Sequence, residues 1–177
     1  MAIIGNQSGC RPEYSLETLV RPPLRRALLV GVEYTRDEEA AGDSANALNG
    51  PHNDVFAMRQ LLMDCYEYLP EDIVVLVDTD NPLQTQPTRD NLICAMNNLV
   101  NGAQAGDRFF FHYAGHTTQV ESEDLNEEGD GLDECIIPSD GESNLIRDNE
   151  LRRYLVDPLP VGSNLVVRIF FLREVHP

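Results

Sequence analysis

The chain has 177 residues, 42% of them hydrophobic, which is the length of one ordinary domain with enough apolar material to bury a core. Its 30 Asp and Glu against 13 Lys and Arg leave a formal net charge of -17, a field that repels phosphate backbones and anionic lipid. Nucleic acid and membrane are excluded as expected partners; cations and basic peptides are favoured.

Residues 1–23 carry no periodic pattern and end in Arg21-Pro22-Pro23, a short irregular arm ahead of a single domain over 24–177. Leu24 to Val32 is a short apolar run that reads as a buried strand. Over 52–66, Val55, Met58, Leu62 and Tyr66 recur at spacings of three and four, one face of a helix that Asn53 or Asp54 could cap. Ile73 to Val77 is a second continuous apolar strand. The next helix opens at Thr88, a good N-cap, carries Leu92, Ala95, Met96 and Leu99 on one face, and ends at Gly102. Asp107 to Tyr113 forms a third strand, followed by a long polar insertion over 114–131. Cys135-Ile-Ile-Pro138, a short helix from about 148 to 156 and a fourth apolar strand over 165–171 complete the pattern. Strands alternating with helices predict right-handed β-α-β crossovers and an α/β fold with a mostly parallel sheet flanked by helices.

The four cysteines, Cys10, Cys65, Cys94 and Cys135, make no Cys-x-x-Cys pair, and no N-terminal segment has the build of a secretory leader. A reduced, intracellular, cytoplasmic protein is expected. No apolar run approaches the roughly 20 residues needed to cross a bilayer.

Ligands of open parallel sheets bind beyond the carboxyl ends of the strands, so Tyr113-Ala114-Gly115-His116 after the third strand is where side chains would be presented. The imidazole of His116 suits a general base or acid there, although a loop histidine is more often structural. His112, within the strand, is assigned a structural role. Glu121 to Glu134 is a strongly acidic stretch, ordinarily a solvated loop. Asp124, Asn126, Glu128 and Gly129 imitate the start of an EF-hand, but Cys135 stands at the twelfth position and flanking helices are missing, which excludes that site. A hard cation held by carboxylates from separate segments stays open, with Asp133, Asp148 and Asn149 as its oxygen donors. Asp54 lies just beyond the first strand, either as a helix N-terminal residue favoured by the dipole or as a ligand carboxylate.

Taken in order, Ala27-Leu-Leu-Val-Gly-Val32, Asn53-Asp54, Glu71-Asp72, Pro87-Thr88-Arg89-Asp90-Asn91, Gly106 to His116 and Asp130 to Pro138 closely resemble a metacaspase over about residues 24–166. The resemblance implies a caspase-like sandwich, incomplete because the small-subunit strands are missing. It also implies a calcium-dependent cysteine endopeptidase cleaving after Arg or Lys, of a kind tied to programmed cell death. By position, His116 matches the catalytic histidine and Asp54 an acidic wall of the pocket for a basic side chain. Asp133, Asp148 and Asn149 match a calcium cluster that is usually all aspartate, so Asn149 implies weaker Ca2+ binding.

The departures matter as much. Where the family shows Ser-Gly-His-Gly, this chain has Ala114-Gly115-His116-Thr117, and Pro51 stands where a pocket cysteine is common. Without gaps, Phe170 occupies the pocket aspartate's position and Leu172 the nucleophile's, as if a frameshift, retained intron or truncation had altered the chain after Val167. Cys135 in its apolar segment is expected to be a buried, inert thiol, and Cys65 and Cys94 fall in helical patterns remote from His116. A peptidase domain inactive as written is therefore expected. The alternative is a non-catalytic pseudoprotease binding basic peptides or a full-length metacaspase. A third possibility is an unstable product with an apolar edge at 165–171.

Overall fold

The computed structural model describes residues 21–34, 47–81, 83–122 and 131–171, the last residue by its backbone alone. Strand β1 (Arg25–Gly31) pairs in parallel with β2 (Ile73–Val77) on one side and with β3 (Arg108–Gly115) on the other. Strand β7 (Asn164–Phe171) adds to β3, again in parallel, giving the order β2-β1-β3-β7. The fold is the expected caspase-like α/β arrangement, with the four apolar runs as its parallel sheet.

Period-two alternation divides these strands between two layers. Leu28 and Val30 of β1, with Phe109, Phe111 and Tyr113 of β3, pack against Leu92, Met96 and Leu99 of helix α2 (Arg89–Val100) and Leu151 and Leu155 of α3 (Asp148–Leu155). Ala27 and Leu29 turn the other way, onto Val55, Met58 and Leu62 of α1 (Pro51–Tyr66). Both faces of β1 are therefore dry, and each fully buried aliphatic side chain contributes about 1.5–3 kcal/mol.

The start of the first helix differs from the sequence expectation. Helix α1 begins at Pro51, whose fixed φ suits the first helical position, and Gly50 precedes it at φ 128. Asn53 and Asp54 thus lie inside the first turn and cap nothing; the Asp54 N–H donates to the Gly50 carbonyl at 2.9 Å. Thr88 does occupy the N-cap of α2, but its hydroxyl makes no capping bond. The Asp140 carboxylate, 51 residues further along, accepts from the Arg89 N–H at 3.0 Å instead. Gly31 lets α1 approach: a Cβ there would stand 2.8 Å from the Pro51 carbonyl oxygen.

The expected polar insertion contributes the first strand of a second sheet. Strand β4 (Thr117–Glu121) pairs antiparallel with β5 (Leu132–Ile136), which pairs with β6 (Ile146–Arg147). Thr117-Thr-Gln-Val-Glu is rich in strand-forming residues, but its half-exposed polar side chains hide the pattern. Glu123, Asp124 and the acidic positions up to Asp130 lie outside the described residues, as do Cys10 and Leu172.

Among the described residues β7 pairs only with β3, and Val166, Val167 and Phe170 on it are exposed. No helix among the described residues is long and apolar enough to cross a membrane.

Candidate active site

The carboxyl ends of β1, β2 and β3 converge on one buried polar network. Asp78, one residue past β2, is 4% exposed and accepts the backbone N–H groups of Glu33 and Tyr34 at 2.8 Å each. His52 of α1 meets the same carboxylate at 2.7 Å through Nε2, and its Nδ1 lies 3.4 Å from Glu33. These bonds hold the chain where it leaves β1 and stabilise Tyr34 at φ 57, a left-handed conformation that a bulky residue adopts only under restraint.

Tyr34 and Tyr113 then bring their hydroxyls together at 2.9 Å, and each reaches the Ile137 carbonyl at 2.6 Å. Burial, reinforced by the neighbouring Tyr34, pushes the Tyr113 hydroxyl well above its ordinary pKa, so it remains a proton donor. His116, half-buried in the turn between β3 and β4, closes this network. Its backbone N–H donates to the Tyr34 hydroxyl at 3.0 Å, and its carbonyl accepts from the Tyr113 hydroxyl at 3.0 Å and the Ile137 N–H at 3.1 Å. The His116 ring lies over the Tyr34 ring, with centroids 4.8 Å apart at 38°. Gly115 has no room for a side chain: a Cβ would fall 2.6 Å from the Tyr113 hydroxyl oxygen and 3.1 Å from that of Tyr34.

Asp54, exposed in the first turn of α1, stands at this carboxyl end because α1 docks on Gly31. Its charge reaches His112 on the α1 face of β3. His112 is fully buried, and among the described residues neither ring nitrogen has a hydrogen-bond partner. The ring sits edge-on to Phe170 at 5.9 Å and 79°. Desolvation first, and the Arg168 charge second, lower the His112 pKa and hold it neutral.

Asp133, Asp148 and Asn149 occupy a different corner. Asp133 is 2% exposed and pairs with the Arg147 guanidinium at 2.6 Å, which also donates to the Glu121 carbonyl at 3.1 Å. That hydrogen bond, followed by one from Ser122, holds the Asp133 carboxyl below the usual carboxylate range. Asp148 and Asn149 open α3, where the Asn149 N–H donates to the Asp148 carboxylate at 2.7 Å. Among the described residues no group of three or more His, Cys, Asp and Glu could hold a metal ion.

The described thiols sit on other elements than His116: Cys135 in β5, Cys65 in α1 and Cys94 in α2. Cys135 is buried, and burial pushes its thiol up to about 11. Cys65 is exposed in the last turn of α1, and Cys94 faces a cleft between α2 and Arg26, Leu28 and Val74. Sequence reasoning did not single out Asp78, Tyr34 or Tyr113. A buried-type Asp immediately after an apolar strand was the available signal.

Residues 25–170 match the family described as metacaspase, peptidase C14 domain. Metacaspase-1 of Pyricularia oryzae is 39% identical over 158 residues, which cover 89% of this chain and 38% of that protein. Metacaspase-1 of Schizosaccharomyces pombe is 42% identical over 142 residues, 80% of this chain and 32% of that one. Metacaspase-7 of Arabidopsis thaliana is 41% identical over 143 residues, 81% and 33% respectively. The chain thus spans about a third of the length of these relatives. Protein GSU0716 from Geobacter sulfurreducens shares the fold, with a TM-score of 0.65 over 86% of this chain and 52% of its own at 24% identity. Motif order, parallel sheet and family match agree: this chain belongs to the metacaspase family of cysteine peptidases.

Proposed function

We propose that this chain carries the histidine half of a Cys-His endopeptidase centre directed to Arg or Lys, and that its own sequence supplies no thiol to complete it. The register of β3 and β7 supports this reading. Gly115 pairs with Phe171, and the residues that follow them in sequence are His116 and Leu172. In a complete centre the imidazole takes the thiol proton, the thiolate attacks the scissile carbonyl, and the imidazolium protonates the leaving amine. Leucine offers no proton and no nucleophile. The exposed Asp54 carboxylate gives a basic side chain a charge-assisted partner at the same end of the sheet.

Incubation with Arg- or Lys-terminated reporter peptides and calcium tests the reading. No turnover is expected, and turnover abolished by a thiol alkylator overturns it. Leu172→Cys should introduce alkylator-sensitive cleavage of the same peptides. The net charge of -17 and the exposure of Asp54 favour a second reading, a pseudoprotease that binds basic peptides or a full-length metacaspase without cleaving. Salt-sensitive peptide binding weakened by Asp54→Asn would support it, and no binding at low salt would remove it.

Calcium does not fit the described corner as it stands. Arg147 already neutralises Asp133, and Asn149 brings no charge. We therefore assign Ca2+ a weak role at most, competing with Arg147. Calorimetric titration should show little heat for this chain, and tight binding would reverse the assignment.

A further inference from the structure

We propose that Tyr34 is the positioning residue for His116, fixing its backbone through the hydroxyl and its imidazole through the ring. The proposal rests on the reading of His116 as the base. Three observations carry it. The Tyr34 hydroxyl accepts the His116 N–H at 3.0 Å, and the Tyr34 ring supports the imidazole at 4.8 Å, so one side chain restrains both the turn and the ring it presents. Tyr34 is itself held from two sides. Asp78 accepts its N–H at 2.8 Å, and its hydroxyl donates to the Ile137 carbonyl at 2.6 Å. Finally, Gly115 is shaped around the hydroxyl pair, because any Cβ there would enter contact distance of both tyrosines.

Tyr34 donates its one proton to Ile137 and accepts from the His116 N–H, while the single Tyr113 proton is shared between the His116 carbonyl at 3.0 Å and the Ile137 carbonyl at 2.6 Å. Both backbone groups of His116 are thereby engaged by tyrosine hydroxyls. A base presented from such a turn keeps its direction without help from a substrate, which is what preorganisation requires.

Nuclear magnetic resonance of the histidine ring and amide in the whole chain tests this, with His116→Gln identifying the resonances. Tyr34→Phe keeps the ring and removes the hydroxyl: the His116 ring-current shift should stay, while its amide exchanges about tenfold faster. Tyr34→Leu removes both and should move both signals. Val30→Ala, a cavity in the same core, serves as the control for general loosening and should move neither. Unchanged ring signals in a folded Tyr34→Leu protein overturn the proposal, as does an equal change in Val30→Ala. Should Tyr34→Leu not fold, the amide of Tyr34→Phe decides alone, and an unchanged exchange rate overturns it. No substrate enters the measurement. Failure of Leu172→Cys to cleave would therefore count against His116 as a base and leave the positioning result standing.

Discussion

The two ends of the parallel sheet solve the same problem with the same part and different counter-ions. At the amino end Asp107 is fully buried and accepts the N–H groups of Leu24 and Gln104 at 2.8 Å each. At the carboxyl end Asp78 accepts those of Glu33 and Tyr34. Each carboxylate gathers chain ends that would otherwise be stranded without partners. Asp107 is neutralised by the fork of Arg21, at 2.8 and 2.5 Å, a permanent charge. Asp78 meets His52, charged only when protonated, and passes its restraint on to Tyr34 and His116. One end is a lock; the other holds the turn that presents His116.

Removing the lock should have the largest effect. Asp107→Ala removes the charged acceptor of two part-buried N–H groups, each bond worth about 1.5–3 kcal/mol, and leaves Arg21 without its carboxylate. Urea unfolding should show that loss while the His116 ring signals of the folded protein stay in place. Gly115→Ala comes next, at about 1–3 kcal/mol, because the added methyl meets the Tyr113 hydroxyl oxygen at 2.6 Å and the tyrosine is packed on all sides. Here the same measurement should find the His116 signals displaced, and a mutant that loses stability without moving them would erase the contrast between the ends.

Acid separates the two ends more finely. His112 has a depressed pKa in the fold, so unfolding takes up a proton and stability falls as pH drops below about 6.5, the unfolded value. The Asp107 carboxyl is held far below its ordinary range, chiefly by the Arg21 hydrogen bond, so its contribution is complete above about pH 3.9 and is lost below it. Denaturation midpoints measured against pH should therefore fall in two stages. His112→Phe should flatten the first stage, and Asp107→Ala the second. The smallest effect is chemical: a thiol reagent near pH 8 should modify Cys65 and Cys94 in the native protein and reach Cys135 only on unfolding.

The central strands and the helices of the parallel layer were legible because β1 and β3 are buried on both faces and each helix on one stripe, and burial is what periodicity reports. The edge strands β2 and β7 showed as apolar runs although part of each is exposed. The N-cap position at Thr88 was legible, but the group that satisfies the helix start was not. The partner of the Arg89 amide is Asp140, and nothing local to Thr88 signals it. The β4–β5 hairpin escaped for a related reason, since its polar side chains are half in water and carry little alternation. His116 could be found from its place after an apolar strand, but Tyr34 and Asp78 are 44 residues apart and meet only once β1 and β2 are paired. The same holds for Arg147, which the β5–β6 pairing sets opposite Cys135 and beside Asp133. A residue's type showed where charge was available, and register decided which opposite charge would reach it first.

Gly31 has a consequence for how this site could change. The first turn of α1 rests on the bare Cα of β1, with the Pro51 carbonyl where a methyl group would be. The depth at which Asp54 stands relative to the strand ends is therefore set by contact between two backbones, which exchanging Asp54 itself leaves untouched. Glutamate in its place would lengthen the arm from a fixed shoulder. A side chain at residue 31 would instead shift the shoulder, moving the first turn of α1 and its Asp54 carboxylate in one step.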